Sequence, residues 1–193
     1  MASPSLSSQP QTGLQRHQRV DGEARIGFGR NGLTALYQRA PSRLLFPAGA
    51  AGAFPEAVSI LTSGGLTGGD RVRLHVNVGA DASATLTTQA AERFYRVLPG
   101  EADARVETRI DLADGACFEW LAQEAILFDR ARLRRSLEAR LTVSSRLLAV
   151  ESVVLGRSAM GEVFRSGLVH DSWRIRRDGR LIWADALHAG GDF

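Results

Sequence analysis

The sequence predicts a mainly β protein, with stacked, solenoid-like antiparallel and mixed sheets and very few short helices. One segment recurs: residues 121–130 align without gaps on residues 148–157, and more weakly on residues 87–96. Repeats separated by 27 and 34 residues indicate one supersecondary unit stacked on itself. Between the copies, apolar residues alternate or run continuously, as they do in strands.

The individual elements follow from local patterns. Residues 1–20 are rich in Ser, Gln and Pro and are expected to form a disordered tail, followed by a single β domain at 21–193. Alternation at 23–30, the Asn31-Gly32 turn signal and the return at 33–38 predict a first hairpin. Further strands are predicted, in chain order, at residues 57–61, 71–78, 83–90, 104–112, 116–122, 132–142, 146–155, 168–177 and 180–188.

The remaining segments are predicted as loops or single helical turns. Residues 47–55 read as a flexible loop, and residues 90–96 and 124–129 each as a helical turn. Asp178-Gly179 is a strong hairpin signal between the last two strands. Residues 190–193 follow a strand with no closing element, so we expect the domain to be completed elsewhere or to be C-terminally truncated.

Composition favours a cytoplasmic protein that does not enter a membrane. The chain has 193 residues, of which 44% are hydrophobic, so it can bury a substantial core. Its apolar runs are too short to cross a bilayer. The single cysteine, Cys117, fits a reducing compartment.

All 24 basic side chains are arginine, and this excludes several functions. Without lysine there is no Walker-type phosphate loop and no Schiff-base chemistry. A sequence pI near 9.9 is typical of nucleic-acid-binding proteins. However, the formal net charge is only +3 and the arginines are scattered, so no nucleic-acid partner is predicted.

Two glycine pairs form a loop at residues 64–69, which Asp70 follows. Backbone amides freed by glycine can hold an anion, but no helix follows the loop and Asp70 would repel phosphate. We therefore interpret the segment as a tight turn with glycines at positive φ. Asp70 either caps this turn with its side chain or lines a polar passage.

Carboxylates recur within the otherwise apolar repeats, and Glu151 aligns with Glu124 of the preceding copy. The set comprises Glu119, Glu124, Asp129, Glu151 and Glu162. Isolated buried carboxylates are costly unless they are paired, hydrated or metal-bound. A pair of them can act as general acid and base, as in sugar-cleaving enzymes. Alternatively, nearby arginines neutralise them, namely Arg130, Arg132, Arg134, Arg135 and Arg157.

A tightly bound metal is not predicted. The four histidines, His17, His75, His170 and His188, are isolated in sequence, and Cys117 has no ligand partner at zinc-site spacing. Carboxylates, amides and water would hold a divalent ion only weakly.

Several ordered motifs resemble those of the urease accessory protein family UreD, which is called UreH in some organisms. The resemblance covers roughly residues 24–190. The motifs are Ser63–Arg71 (Ser-Gly-Gly-Leu-Thr-Gly-Gly-Asp-Arg), Leu86–Ala91, Glu119–Asp129, Val154–Arg157 with Gly161-Glu162, and Arg177–Leu181.

This resemblance implies a scaffold and not an enzyme. UreD-type proteins have a stacked β fold and bind apo-urease and UreF, which recruits the GTPase UreG, in assemblies with two copies. The resemblance also implies that Ni²⁺ passes through an internal polar passage of the UreD-type protein and that no cofactor is tightly bound. By the resemblance and the repeats, the passage residues are expected to be Asp70, Thr88, Gln89, Glu119, Glu124, Asp129 and Glu151. The alternative is a carbohydrate-active β-solenoid hydrolase using Glu119 with Glu124 or Glu151.

Overall fold

The computed structural model describes residues 18–48 and 54–193, and these are almost entirely strands and turns. The strands are β1 (Asp21–Gly29), β2 (Gly32–Arg39), β3 (Ser42–Leu45), β4 (Glu56–Leu61), β5 (Arg71–Val78), β6 (Ser83–Thr88), β7 (Glu92–Phe94), β8 (Ala104–Leu112), β9 (Cys117–Leu121), β10 (Ala125–Leu127), β11 (Arg132–Leu141), β12 (Arg146–Val150), β13 (Val153–Leu155), β14 (Ser166–Arg177) and β15 (Arg180–Asp192). A 3-10 helix of three residues, Ser158–Met160, interrupts them.

The strands form three sheets. The large sheet has the order β15-β14-β11-β8-β5-β1-β2, the middle sheet β12-β9-β6-β4-β3 and the small sheet β13-β10-β7. From β5 to β13 the chain visits the large, middle and small sheets in turn, three times over, and equivalent strands pair in parallel. Each repeat is therefore one coil of a solenoid, which confirms the predicted fold class.

The strand register corrects the gap-free alignment of the repeats. Thr87 pairs with Leu121 in the middle sheet, as the 34-residue separation predicts. Leu121, however, pairs with Val150, and Ala125 pairs with Val153 in the small sheet. These separations are 29 and 28 residues, not 27, because the turns between coils differ in length. Glu151 is therefore not the neighbour of Glu124, and that expectation was wrong.

The two predicted helical turns are also wrong. Residues 92–94 and 125–127 are the strands β7 and β10, which pair in parallel. The spacing of the apolar residues in these segments is compatible with a helical turn or with a strand. The strand forms because it buries Phe94 and Leu127 side by side in the small sheet. The predicted strand at 146–155 is two strands, β12 and β13, because the chain crosses from the middle to the small sheet at Glu151-Ser152.

Both predicted hairpins are present. The Asn31-Gly32 signal lies at the β1–β2 hairpin, whose two-residue turn is Arg30-Asn31 because Gly32 already pairs with Gly29. Asp178-Gly179, with φ of 48° and 77°, joins β14 to β15. Positive φ at both central residues suits the twist of a two-residue hairpin. The sequence patterns did not predict β3, which pairs with β4. Residues 1–17 of the predicted tail and 49–53 of the predicted loop lie outside the described residues.

The inward side chains form two apolar cores. The first core lies between the large and middle sheets and includes Ile26, Val76, Phe118 and Leu137. The second core lies between the large and small sheets and includes Phe94, Leu127, Leu133 and Val169. Alternation explains this segregation, since every second residue of a strand faces the interior.

Phe118 has no exposed surface, so Phe118→Ala should destabilise the protein by about 3–5 kcal/mol through lost burial and the cavity left behind. Leu148→Ala is the control, because Leu148 is exposed on β12 of the same sheet and should cost less than about 1 kcal/mol. Urea denaturation of both variants measures the difference. Equal losses of unfolding free energy would contradict the assignment of the first core.

Candidate functional site

A layer of charged side chains lies between the two apolar cores. On β11 the inward residues are Leu133, Arg135 and Leu137, so that Arg135 lies between a residue of the second core and one of the first. Its in-register neighbour on β14 is Asp171, which also faces inward. Glu92 at the start of β7 and Glu151 between β12 and β13 complete what we call the ionic layer: Glu92, Arg135, Glu151 and Asp171.

Ion pairs hold the ionic layer together. The Arg135 side chain is 5% exposed; its Nε lies 3.3 Å from Glu151 Oε2, and its Nη2 donates a hydrogen bond to Asp171. The Glu151 side chain is 3% exposed and accepts hydrogen bonds from two indoles, Trp120 to Oε1 at 3.0 Å and Trp173 to Oε2 at 3.2 Å. The second carboxylate oxygen of Asp171 is buried without a hydrogen-bond partner among the described residues.

Burial shifts the proton affinities of these groups. Desolvation raises the pKa of Glu151, although Arg135 and the two indoles oppose the shift. Desolvation also raises the pKa of Glu92 to about 7, and Glu151 adds to this while Arg135 opposes it. Burial alone would lower the pKa of Arg135, but Asp171 and Glu151 reverse that and the net shift is upward. The ionic layer thus sets one arginine against three acidic side chains, and burial raises the pKa of two of them, Glu92 and Glu151.

Two cavities border the ionic layer from different sides. One, of about 110 Å³, is lined by Thr88, Gln89 and Glu92 together with the glycine loop at Gly64-Gly65. The other, of about 350 Å³, is lined by Glu151 and Asp171 together with residues of the β14–β15 hairpin such as Asp185. Glu92 therefore borders one cavity, and Glu151 and Asp171 border the other.

The glycine loop is a turn that Asp70 caps. Gly64, Gly65 and Gly69 have φ of 74°, 142° and 78°, as expected for a tight turn. Asp70 is buried, and its carboxylate accepts hydrogen bonds from the backbone N–H of Thr67 at 2.7 Å and of Val20 at 2.8 Å. Of the two roles expected for Asp70, turn capping is the one seen in its contacts.

Asp129 holds a second loop in a similar way. It accepts hydrogen bonds from the backbone N–H of Arg165 at 2.8 Å and Ser166 at 3.1 Å, which lower its pKa, with a weaker contribution from Arg130. Arg157 pairs with Glu162. Neutralisation of carboxylates by arginine is therefore seen for several of the predicted pairs, with Arg135 and Glu151 the most buried among them.

The other predicted residues lie around the middle sheet. Thr88 is buried and its hydroxyl accepts a hydrogen bond from the N–H of Gln123 at 3.0 Å, whereas Gln89 is exposed. Glu119 faces away from the first core and accepts a hydrogen bond from Thr85 at 2.7 Å. Glu124 is half-buried in the connection between β9 and β10. The structure thus brings Thr88, Gln89 and Glu151 to the two cavities and leaves the others apart.

Sequence reasoning missed three members of the ionic layer as site residues, namely Glu92, Arg135 and Asp171. The signal for Arg135 was present, because it occupies an inward position between two leucines of an alternating strand. Glu92 lies in the weakest copy of the repeat, and Asp171 becomes visible only through its pairing with Arg135.

The contacts of Glu151 are those of a structural ion pair: both of its oxygens accept hydrogen bonds from indoles, and Oε2 also faces Arg135. Within residues 18–48 and 54–193, no three side chains among His, Cys, Asp and Glu are arranged to hold one metal ion. Nor does this part of the chain contain a helix long and apolar enough to cross a membrane.

The fold and the site together define a class of protein: a β-solenoid of parallel coils in which a layer of charged side chains lies between two apolar cores. The family model described as "UreD urease accessory protein" matches residues 20–193. The chain therefore belongs to the UreD family of urease accessory proteins.

Curated relatives agree with this assignment. The chain is 47% identical over 176 residues to the urease accessory protein UreD of Rhizobium etli. This aligned region covers 89% of the present chain and 63% of the Rhizobium etli protein. The chain is 45% identical to the UreD of Agrobacterium fabrum (92% and 63%) and 42% identical to that of Magnetococcus marinus (91% and 61%). The chain thus spans a little under two thirds of the length of these relatives.

The raised pKa of Glu92 makes stability depend on pH. Between the ordinary pKa of glutamate and about 7, folded Glu92 keeps a proton that the unfolded chain has released. The free energy of unfolding therefore falls as the pH rises through this interval. Glu92→Gln should remove that fall and make the protein more stable than wild type by about 1–3 kcal/mol at pH 8, but not at pH 5.

Urea denaturation at pH 5, 6, 7 and 8 measures this effect, with Glu107→Gln on the outer face of the large sheet as the control. If Glu92→Gln and wild type showed the same change of unfolding free energy with pH, that result would contradict a pKa of Glu92 raised by desolvation.

Proposed function

We propose that this protein is a non-catalytic scaffold for urease maturation and that it conducts Ni²⁺ through its interior toward the urease active site. Its membership of the UreD family supports the maturation role. The partners that we propose are the urease apoprotein and UreF, with UreG joining through UreF and two copies of this chain in the assembly. We place this assembly in the cytoplasm.

The ionic layer is the observation that carries the nickel proposal. Three acidic side chains around one arginine lower the cost of admitting a divalent cation, because the cation offsets carboxylates that are already desolvated. Oxygen ligands suit Ni²⁺ less well than imidazole or thiolate, so the ion would be bound weakly and released. The buried Asp171 oxygen without a hydrogen-bond partner among the described residues offers one such ligand.

The two cavities suggest the direction of the route. We propose that it runs from Thr88, Gln89 and Glu92, which line one cavity, to Glu151 and Asp171, which line the other. Of the seven residues predicted from sequence, Thr88, Gln89 and Glu151 then lie on the route. Glu119 and Glu124 do not line either cavity, and Asp70 and Asp129 hold loops in place.

The experiment is co-expression of this chain with its own urease subunits, UreF and UreG, followed by pull-down and measurement of nickel content and urease activity. The UreD of Rhizobium etli with its own partners serves as positive control. We expect co-purification with UreF and nickel-dependent urease activity. Absence of both, while the positive control succeeds, would overturn the scaffold role for this chain.

The route is tested by Glu151→Gln combined with Asp171→Asn, which removes two negative charges and nearly preserves shape. We expect at least about tenfold less nickel per urease, because the remaining layer carries the positive charge of Arg135 and repels the ion. Glu107→Gln is the matched control and should leave nickel loading unchanged. Pull-down of the double variant checks folding: retained UreF binding with normal nickel loading would contradict the route but not the scaffold.

A further inference from the structure

Two histidines that are far apart in sequence form a cross-strand pair on the outer face of the large sheet. His170 on β14 and His188 on β15 are in register. Their Nδ1 atoms lie 3.3 Å apart and their ring centroids 5.5 Å apart. Both side chains are accessible, so a solute can reach the two ring nitrogens directly.

The separation of the two nitrogens matches the bite of a shared metal ion. Two imidazole nitrogens that each lie about 2.0–2.1 Å from one tetrahedral ion are about 3.3 Å apart. In the metal-free protein the same separation allows one nitrogen to donate its proton to the other. A metal would replace that proton at a similar nitrogen separation, with the rings turned so that both lone pairs point at the ion.

The hairpin holds this geometry without help from the metal. β14 and β15 pair over almost their whole length, from the cross-strand pair of Ser166 with Asp192 to the turn at Asp178-Gly179. A pre-formed pair of ligands avoids the entropic cost of ordering them on binding.

The surroundings leave room for water to complete the coordination shell. Ala186 and Gly190 flank His188 on the same face of β15, and neither side chain is large enough to cover the nitrogens. The nearest cation in the sheet register is Arg134, beside His170 on β11. Arg134 shares the carboxylate of Asp103 with Arg132, and each Nε donates to it at 2.6 Å, so Asp103 offsets part of their charge.

We propose that His170 and His188 form a surface site for one divalent transition-metal ion of the imidazole-preferring class, such as Ni²⁺, Cu²⁺ or Zn²⁺. The two imidazoles and water are its ligands, which makes the ion exchangeable and excludes Mg²⁺ and Ca²⁺. We expect this site to bind Cu²⁺ more tightly than Ni²⁺. The site lies on the face opposite the ionic layer and does not depend on the proposed nickel route.

Calorimetric titration of the tag-free protein with NiCl₂, and separately with CuCl₂ and MgCl₂, tests this site. We expect one site for Ni²⁺ that is weakened by at least about tenfold in both His170→Ala and His188→Ala, since one imidazole alone cannot chelate. His75→Ala is the matched control, because His75 lies on the same sheet face but is paired with Asp111 at 2.7 Å. Unchanged Ni²⁺ affinity in both variants, or equal loss in the control, would overturn the proposal.

A second measurement separates chelation from a structural effect of the substitutions. Because the metal joins two strands of the folded hairpin, Ni²⁺ should raise the melting temperature of wild type and of His75→Ala. It should leave His188→Ala unshifted. Ni²⁺ should also broaden the NMR ring signals of His170 and His188 more than that of His75, and the opposite order would contradict the site.

Discussion

The ion pairs of Arg135 are the constraint on which the rest of the interior depends. Every second side chain of the large-sheet strands faces the interior of the solenoid. On β11, Arg135 occupies one of these inward positions, between Leu133 and Leu137. Its charge is tolerable only because Glu151 and Asp171 face it at close range. The two apolar cores then pack on either side of the ionic layer instead of merging into one.

The path of the chain explains why the layer lies where it does. In each coil the chain leaves the middle sheet and enters the small sheet, and at this corner it cannot keep strict alternation. Glu151 lies at the corner between β12 and β13, and Glu92 follows the equivalent corner between β6 and β7. Carboxylates from the first and third coils thus lie near equivalent corners of the stack. A polar interior that opens to two cavities is a physical basis for ion movement that a uniformly apolar core would not supply.

Much of the fold could be predicted from sequence, because alternation and turn chemistry are local. The hairpins at Asn31-Gly32 and Asp178-Gly179, the cap at Asp70 and the coil-like repeat all follow from short patterns. The register between coils did not, since it depends on turn lengths that a gap-free alignment ignores. The three-residue strands β7 and β10 were also missed, because so few residues show no period. The residues of the ionic layer come together only through the strand register, so most of them could not be predicted from the sequence.

The most direct measurement compares the unfolding free energy of Arg135→Met with that of the triple variant Arg135→Met, Glu151→Gln, Asp171→Asn. Removing the arginine alone leaves buried carboxylates without a counter-charge and should cost about 3–5 kcal/mol. If Arg135 acts as their counter-ion, neutralising both carboxylates should restore at least about half of that loss. A triple variant that is no more stable than Arg135→Met would contradict an interior organised around this charge.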